Sequence, residues 1–300
     1  PPLGHVPARM YAWCIRQERH GAPDSAMQIE VVPTWEIGED ECLVLVMAAG
    51  VNYNGVWAAL GKPISPIDGH KNAFHIAGSD ASGIVWAVGS KVKRWKVGDE
   101  VVALNVGDRV VTANATGAYA EYCTAPADFV AYVPDVVRSD AIASALLKGM
   151  TAHYLIKSVY QVQPRDFLLV HAGAGGVGLI LTQWATSFGA RVITTASTPE
   201  KAELSRQAGA VEVLDYPEDP AGFAAQIREL TDGHGVAAVY DGVGRSTFDA
   251  SLASLAIRGT LALFGASSGP VPPVDPQRLN AAERVLNELA NLARGAARYN

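Results

Sequence analysis

The sequence predicts an α/β protein in which a small β-barrel is followed by a doubly wound parallel sheet. Three observations predict this fold class: short strand-like runs separated by Gly and Pro before about Asp128, alternating strands and helices after it, and a glycine-rich turn between one strand and the next helix. We expect a barrel domain over residues 1–127 and a sheet domain over 128–275. Residues 276–300 are expected to form a Pro-rich linker and an amphipathic helix.

The barrel prediction comes from many short strands joined by turns. The strand-like runs are Met27–Val32, Glu41–Val46, Ile84–Val88, Glu100–Ala103 and Arg109–Thr112. One local repeat stands out in this region, because Val97–Val102 is nearly repeated as Val106–Val111. Two readings stay open: a coincidence of two turn–strand units, or a splice between two parent sequences.

The second half begins with two predicted helices, Ser139–Leu147 and Thr151–Ser158, and then alternates. The alternating elements are strand Phe167–His171, helix Val177–Phe188, strand Arg191–Ala196, helix Glu200–Ala208, strand Val211–Leu214, helix Pro220–Leu230, strand Ala237–Asp241, helix Ser246–Leu255 and strand Thr260–Gly265. This order predicts a parallel sheet covered by helices on both faces. In the tail, the apolar spacing of Val285, Leu289, Leu292 and Ala296 predicts a helix over Ala281–Arg298.

Bulk composition narrows the possible partners and the compartment. The net charge of −6 argues against nucleic acid, and the longest apolar run, Cys42–Val51, is too short to cross a bilayer. The three cysteines, Cys14, Cys42 and Cys123, have neither zinc spacing nor a disulfide pattern, and no secretory signal is present. We therefore expect a cytoplasmic protein with no metal, no nucleic acid and no membrane partner.

The stretch Asp166–Gly178 carries the strongest functional signal. An apolar strand runs into Gly173-x-Gly175-x-x-Gly178, with Gly176 and Val177 opening an apolar helix. In a dinucleotide-binding turn the first glycine permits the tight turn, the second lets the backbone approach a pyrophosphate, and the third allows close packing of helix on sheet. The N–H groups at the helix start would hold the phosphates. The sequence therefore predicts a dinucleotide site.

With these motifs in place, the chain resembles the medium-chain dehydrogenase/reductase superfamily from about Met10 to Asn280. The resemblance implies a GroES-like barrel domain followed by a Rossmann domain. Up to Val102 the stretches AAGVNYNGVW, HIAGSDASGIV and WKVGDEVV look like crotonyl-CoA carboxylase/reductases. From Val106 the stretches GAYAEY, LLKGMTAHYL, VHAGAGGVG, YDGVG and LALFGASSG look like NADPH:quinone oxidoreductases, so a hybrid chain is one interpretation.

Two departures qualify what the resemblance implies. Where zinc-dependent members carry a cysteine and a Gly-His-Glu motif, this chain has Asn52 and Gly78-Ser79-Asp80, so the zinc-free branch is indicated. The family also continues past Asn280 with a last sheet strand, whose place is taken here by the predicted helix. A homodimer is possible, but the edge strand that pairs subunits in family dimers is expected to be absent.

The residues after the second sheet strand favour NADPH over NADH. Strand Arg191–Ala196 ends in Ser197, and no carboxylate stands at the strand end to accept from ribose hydroxyls, because the first acid, Glu200, already belongs to the next helix, as does Lys201. The resemblance implies that Lys201 and Tyr216 hold the 2′-phosphate. The alternative is a solvated lysine and a loop aromatic. Further cofactor contacts are expected, from the resemblance, at Thr151 and, from their place at the carboxyl ends of strands, at Gly242, Phe264 and Gly265.

Catalysis needs little beyond positioning and a hydrogen-bond donor, because the cofactor carries the hydride. Asn52 is the best candidate donor and Tyr53 the next, against a turn-capping Asn and a packed barrel aromatic as alternatives. His171 and His153 are ambiguous. The sequence predicts a zinc-independent, NADPH-dependent reductase of a quinone or an α,β-unsaturated carbonyl. A crotonyl-CoA or enoyl-CoA reductase and a non-catalytic, crystallin-like NADPH-binding protein stay open as alternatives.

Overall fold

In a computed structural model of the chain, the structure describes residues 2–69, 72–92, 95–97, 100–102, 105, 107–282 and 285–288. It describes the side chains of all these residues except 95–97, 100–102, 280–282 and 285–288. The chain divides into two compact units, Pro1–Leu147 and Lys148–Asn300. This division lies further along the chain than the domain boundary expected at residues 127 and 128, which stays a prediction.

The first unit is built mainly of short β-strands. Its strands are β1 (Arg9–Ile15), β2 (Gln28–Pro33), β3 (Glu41–Ala49), β4 (His75–Ile76), β5 (Ala81–Val88), β6 (Trp95–Val97), β7 (Glu100–Val102), β8 (Arg109–Thr112), β9 (Tyr122–Pro126) and β10 (Val130–Tyr132). Its helices are α1 (Pro23–Ala26) and α2 (Tyr53–Leu60), and α3 (Ser139–Tyr154) begins in it. The predicted strand regions are confirmed, and β1, β4, β6, β9 and β10 were not predicted.

Three sheets organise this unit. A five-stranded antiparallel sheet has the order β10-β8-β5-β3-β9, a three-stranded sheet has the order β2-β1-β4, and β6 pairs with β7. Strand β1 shows the alternation expected of a half-buried strand, with Met10, Ala12 and Cys14 in the core and Tyr11 and Trp13 exposed. The two copies of the local repeat differ in surroundings, because β7 belongs to a hairpin and β8 to the five-stranded sheet. This difference does not distinguish a coincidence of two turn–strand units from a splice between two parent sequences.

The second unit alternates strands and helices. Its strands are β11 (Phe167–Val170), β12 (Arg191–Thr195), β13 (Glu212–Leu214), β14 (Val236–Asp241), β15 (Leu255–Leu263) and β16 (Val285–Glu288). Its helices are α4 (Gly176–Ser187), α5 (Pro199–Gln207), α6 (Pro220–Leu230) and α7 (Phe248–Ser254). The sheet is wholly parallel in the order β13-β12-β11-β14-β15-β16, which confirms the predicted doubly wound sheet. Buried Leu168, Leu169 and Ile193 lie at its centre.

Two features of the predicted secondary structure are wrong: a break within one helix, and a helix in the tail. The helices expected at Ser139–Leu147 and Thr151–Ser158 are one helix, α3, which runs through Gly149 and ends in a π-helical turn at Leu155–Val159. The helix expected over Ala281–Arg298 is contradicted at Val285–Glu288, which forms β16 and pairs in parallel with β15. The sheet therefore has a sixth strand at residues where a helix was expected, and pairing with β15 overrides the helical apolar spacing. The rest of that predicted helix lies outside the described residues, apart from a 3-10 turn at Pro276–Ala282.

No helix in the described part of the chain is long and apolar enough to cross a bilayer.

Candidate functional site

In the second unit, a glycine-rich turn joins the central strand β11 to α4. Gly173 N–H donates to Thr195 O (3.0 Å), and Gly175 N–H donates to Ala172 O (2.8 Å). Ala172 takes a left-handed conformation with φ of 54°. The turn is thereby tied both to itself and to strand β12, as the predicted fingerprint requires.

Two of the fingerprint glycines sit where no side chain fits. A β-carbon on Gly178 would lie 2.4 Å from Ala172 O, and one on Gly173 would lie 2.4 Å from Thr194 Cβ. Gly175 and Gly176, by contrast, are exposed at the start of the helix. The turn therefore packs tightly against the sheet while its outer backbone stays open to a ligand, which is the arrangement predicted for Gly173, Gly175 and Gly178.

The start of α4 differs from the starts of the next two helices. Thr198 caps α5 by accepting from Lys201 N–H, and Asp219 caps α6 by accepting from two backbone N–H groups. Helix α4 has Gly175 as its N-cap residue, so no side chain caps it, and its first turn holds no acidic residue. Its first N–H groups and its positive dipole end therefore suit an anion such as a diphosphate.

Lys148 lies beside this helix start and was not among the predicted site residues. A β-carbon on Gly176 would lie 2.5 Å from Lys148 Cδ and 2.6 Å from its Cε, so the lysine stem passes over the glycine. The lysine is half-buried and belongs to α3, one turn before Thr151. Lys148 could have been proposed as a site residue from the sequence, because it belongs to the LLKGMT stretch that carries the family resemblance.

The predicted 2′-phosphate residues lie around the end of β12. Lys201 Nζ donates to Ser197 Oγ (3.2 Å), so the structure brings these two side chains together. Tyr216 stacks on the imidazole of His171, with ring centroids 6.5 Å apart and planes 17° apart. Burial raises the pKa of Tyr216, so its hydroxyl stays protonated as a donor.

His171 is a buried core group. Its Nδ1 lies 3.1 Å from Thr195 Oγ1, and Phe223 packs at 6.0 Å on its ring. Burial lowers the pKa of His171, although the charge of Asp241 acts in the opposite direction. The imidazole is therefore neutral at pH 7. His153, the other ambiguous histidine, packs on Trp184 of α4 with ring centroids 5.5 Å apart.

The carboxyl ends of β14 and β15 lie side by side and bring together the remaining predicted cofactor residues. Phe264 N–H donates to Asp241 O (2.9 Å), and a β-carbon on Gly242 would lie 2.9 Å from Phe264 Cζ. A β-carbon on Gly265 would lie 2.6 Å from Gly242 O. Both glycines are thus required by close contact, whatever else they do.

A fully buried carboxylate organises this edge and was not predicted as a functional residue. Asp241 accepts from Val243 N–H (2.8 Å), Gly244 N–H (2.9 Å), Thr247 Oγ1 (2.8 Å) and Ser251 Oγ (2.7 Å). These donors compensate its desolvation and fix the backbone that follows β14. Asp241 could have been singled out from the sequence, because it belongs to the YDGVG stretch that carries the family resemblance.

In the first unit, Asn52 is the N-cap residue of α2, but its side chain does not cap the helix. Its Nδ2 instead donates to Asp80 Oδ1 (2.6 Å). Asp80 is fully buried, and its carbonyl accepts from Gly50 N–H (3.1 Å). The simple turn-capping alternative for Asn52 is therefore not what the structure shows.

Tyr53 and Tyr119 complete the surroundings of Asn52. Tyr53 is 47% exposed and meets Trp57 edge-on, with ring centroids 5.6 Å apart, so it is not a packed barrel aromatic. Tyr119 Oη donates to Gly50 O (3.0 Å). Burial raises the pKa of Tyr119, and the Asp80 charge raises it further. Nearby, a cleft of about 220 Å³ is lined by residues that include Asn54, Ser79 and Thr116.

The described residues contain no group of three or more His, Cys, Asp or Glu side chains that could hold a metal ion. The three cysteines are buried, and burial raises the thiol pKa to about 11 for Cys14 and Cys42 and to about 12 for Cys123. Protonated thiols in these positions are poor ligands and poor nucleophiles.

Comparison with known proteins matches both parts of the chain to families. Residues 38–135 match the family described as alcohol dehydrogenase GroES-like domain, and residues 176–294 match the family described as zinc-binding dehydrogenase. Quinone oxidoreductase 1 of Escherichia coli K12 is 37% identical over 268 residues, which cover 89% of this chain and 76% of that protein.

Two further known proteins are similar to this chain. Crotonyl-CoA carboxylase/reductase of Cereibacter sphaeroides is 40% identical over 236 residues, which cover 72% of this chain but only 55% of that protein. The solved structure of a mycobacterial protein in complex with NADPH is 55% identical, with a TM-score of 0.84 over 94% of this chain and 81% of that one.

Proposed function

The chain belongs to the zinc-independent medium-chain dehydrogenase/reductase superfamily, and we propose that it is an NADPH-dependent oxidoreductase that delivers hydride to a quinone or an α,β-unsaturated carbonyl. The observation that carries the choice of cofactor is the Lys201–Ser197 pair after β12. A cation and hydroxyls stand where an NAD site would place a carboxylate. The NADPH bound by the mycobacterial relative supports the same choice.

The residues of the second unit fit this cofactor. The uncapped start of α4 and the open backbone of Gly175 and Gly176 would hold the diphosphate, with the Lys148 ammonium adding charge. Lys201 and Ser197 would hold the 2′-phosphate. The other proposed contacts are Gly173, Val177, Gly178, Thr151, Tyr216, Gly242, Phe264 and Gly265.

When bound, the reduced nicotinamide supplies the hydride. The acceptor gains the hydride and its electron pair, and a proton from solvent or from a nearby hydroxyl balances the charge that develops on the acceptor's oxygen. We propose the exposed Tyr53 hydroxyl as a donor to that oxygen and Asn52 as a second ligand-contacting side chain. Both side chains belong to the first unit.

Two other functions have specific support. The 40% identity to the crotonyl-CoA enzyme favours an enoyl-CoA reductase. The intact fingerprint would also serve a crystallin-like NADPH-binding protein without turnover. A cytoplasmic location and a homodimer stay predictions.

One experiment separates the three functions. Purified protein is mixed with NADPH and either 9,10-phenanthrenequinone or crotonyl-CoA, and nicotinamide absorbance is followed. Turnover of the quinone supports the proposal, and turnover of crotonyl-CoA alone supports the enoyl-CoA reductase. Tight NADPH binding with neither reaction supports the binding protein. A preference for NADH would contradict the roles of Lys201 and Ser197.

A further inference from the structure

We propose that Asp80 is a positioning residue that fixes the Asn52 carboxamide with its N–H groups turned into the protein and its carbonyl oxygen, Oδ1, presented to the ligand. Asn52 would then act as a hydrogen-bond acceptor. This is the opposite of the donor role that the sequence suggests. The inference rests on the proposed function, because it takes Asn52 as a ligand-contacting side chain.

The hydrogen bonds of Asn52 show which end of its amide already has partners within the protein. Nδ2 donates to Asp80 Oδ1 at 2.6 Å and makes a longer contact of 3.5 Å to Gly50 O. Both N–H groups therefore have acceptors within the first unit. Oδ1 accepts no hydrogen bond within the described part of the chain, and it does not cap α2.

Charge fixes this orientation. Asp80 is fully buried, so its carboxylate interacts with Asn52 in surroundings where electrostatic terms are strong. Turning the amide over would set two oxygens against each other at the same short separation, which is repulsive. Because amide orientation is decided by such neighbours, the Asp80 carboxylate decides it here.

The backbone is shaped to let the carboxylate reach this place. A β-carbon on Gly50 would lie 2.2 Å from Asp80 Oδ2 and 2.7 Å from its Cγ. Gly50 also donates its N–H to Asp80 O (3.1 Å) and accepts at its carbonyl from Tyr119 Oη (3.0 Å). Gly50 therefore helps to hold Asp80 against Asn52.

An outward Oδ1 recognises an N–H or O–H group. It would repel the carbonyl oxygen of a quinone, so the donor to that oxygen must be another group, such as the Tyr53 hydroxyl. Two ligand groups offer the required chemistry: the primary carboxamide of the nicotinamide, and a hydroxyl of the reduced substrate. The experiment below distinguishes these sources.

The test exchanges the two side chains. Asn52→Asp alone places two carboxylates together, and Asp80→Asn alone removes the charge that orients the amide; each should lower kcat at least 10-fold. In the double variant Asn52→Asp/Asp80→Asn, residue 80 donates inward and residue 52 still presents an oxygen outward. Its kcat should return to within about 3-fold of wild type.

The double variant also has a signature that a purely structural role would not produce. Its outward acceptor is a carboxylate, so its activity should fall as pH drops through the titration of that group, whereas wild type should show no such limb. Asn114→Asp, an exposed asparagine of the same unit, controls for added charge and should match wild type. Circular dichroism checks that every variant is folded.

Binding measurements identify the ligand group without relying on turnover. Fluorescence titration compares NADP+ with its 3-acetylpyridine analogue, which lacks the amide N–H. If the carboxamide is the donor, wild type should bind NADP+ about 5-fold to 10-fold more tightly than the analogue, and Asn52→Ala should lose that difference. Equal binding in wild type, together with rescue of kcat in the double variant, assigns the donor to the substrate hydroxyl.

The inference is overturned if the double variant is no more active than either single variant, or if Asp80→Asn matches wild type. Failure of the proposed function looks different, because wild type would then oxidise NADPH with neither acceptor. In that case the NADP+ and analogue affinities of wild type, Asp80→Asn and the double variant still test the orientation of Asn52: loss of discrimination in Asp80→Asn and its return in the double variant support it, and any other pattern refutes it.

Discussion

Replacing Gly178 with alanine tests whether the close packing of α4 on its turn sets the cofactor site. The new β-carbon would lie 2.4 Å from Ala172 O and 2.8 Å from Gly173 O, both of them backbone atoms. Backbone cannot swing aside as a side chain can, so the helix start or the turn must move. Such overpacking costs about 3 kcal/mol, and alanine returns about 1 kcal/mol through its higher helix propensity.

The net loss of about 2 kcal/mol should lower the melting temperature by about 4–8 °C. Displacing the turn should also weaken NADPH binding about 10-fold, since the N–H groups would no longer converge on the phosphates. Differential scanning fluorimetry and fluorescence titration measure the two effects.

Gly176→Ala is the matched control, two residues earlier in the same helix. The three atoms nearest to its β-carbon would all belong to the Lys148 stem: Cδ at 2.5 Å, Cε at 2.6 Å and Cγ at 3.4 Å. A flexible lysine stem moves at little cost and alanine adds helix propensity here too, so the melting temperature should not fall below that of wild type. If Gly178→Ala has the melting temperature of Gly176→Ala, the packing argument for the fingerprint is refuted.

Three further predictions concern charge. Lys201→Ala should weaken NADPH binding about 10-fold and leave NADH within about 2-fold, and an equal loss for both would assign the lysine elsewhere. Lys148→Met keeps the stem but not the ammonium, so it should weaken NADPH and NADH alike, by about 3-fold to 10-fold, and flatten the salt dependence of binding. Because burial lowers the pKa of His171, the unfolded chain alone takes up that proton below about pH 6.5, and stability should fall from pH 7.5 to 5.5. His171→Gln should show a shallower fall in melting temperature, and an identical slope would contradict the buried neutral histidine.

Elements with a strong local signal could be predicted from the sequence. Strand β11 and helix α4 agree with their predicted bounds to within one residue, because an apolar run and a glycine turn leave few alternatives. Helix α3 shows the limit of local rules. Two helices separated by residues 148–150 were predicted, yet Gly149 lies within the single helix α3. A β-carbon there would meet nothing within 4 Å, so the glycine lies on an open face, and the helix tolerates the modest loss of stability that a glycine causes.

Long-range pairing and side-chain orientation could not be predicted. The apolar spacing around Val285 fits a helix, but Val285–Glu288 instead adds a parallel strand beside β15, a choice made by the sheet edge. Likewise, Asn52 could be located from its motif, but the orientation of its amide depends on Asp80, which is distant in sequence. That orientation decides between a donor and an acceptor.

The two buried carboxylates show how the fold supports chemistry that it does not perform itself. Asp80 and Asp241 are both fully buried, and each lies close to a glycine, Gly50 for Asp80 and Gly244 for Asp241. A buried charge is costly unless donors compensate it, so each acid orders the groups around it. Asp241 orders the backbone after β14, and Asp80 orders one carboxamide. The atoms that we propose to contact the ligand are thereby fixed before any ligand binds. This removes reorganisation from the binding step and makes these acids more informative targets than the residues they orient.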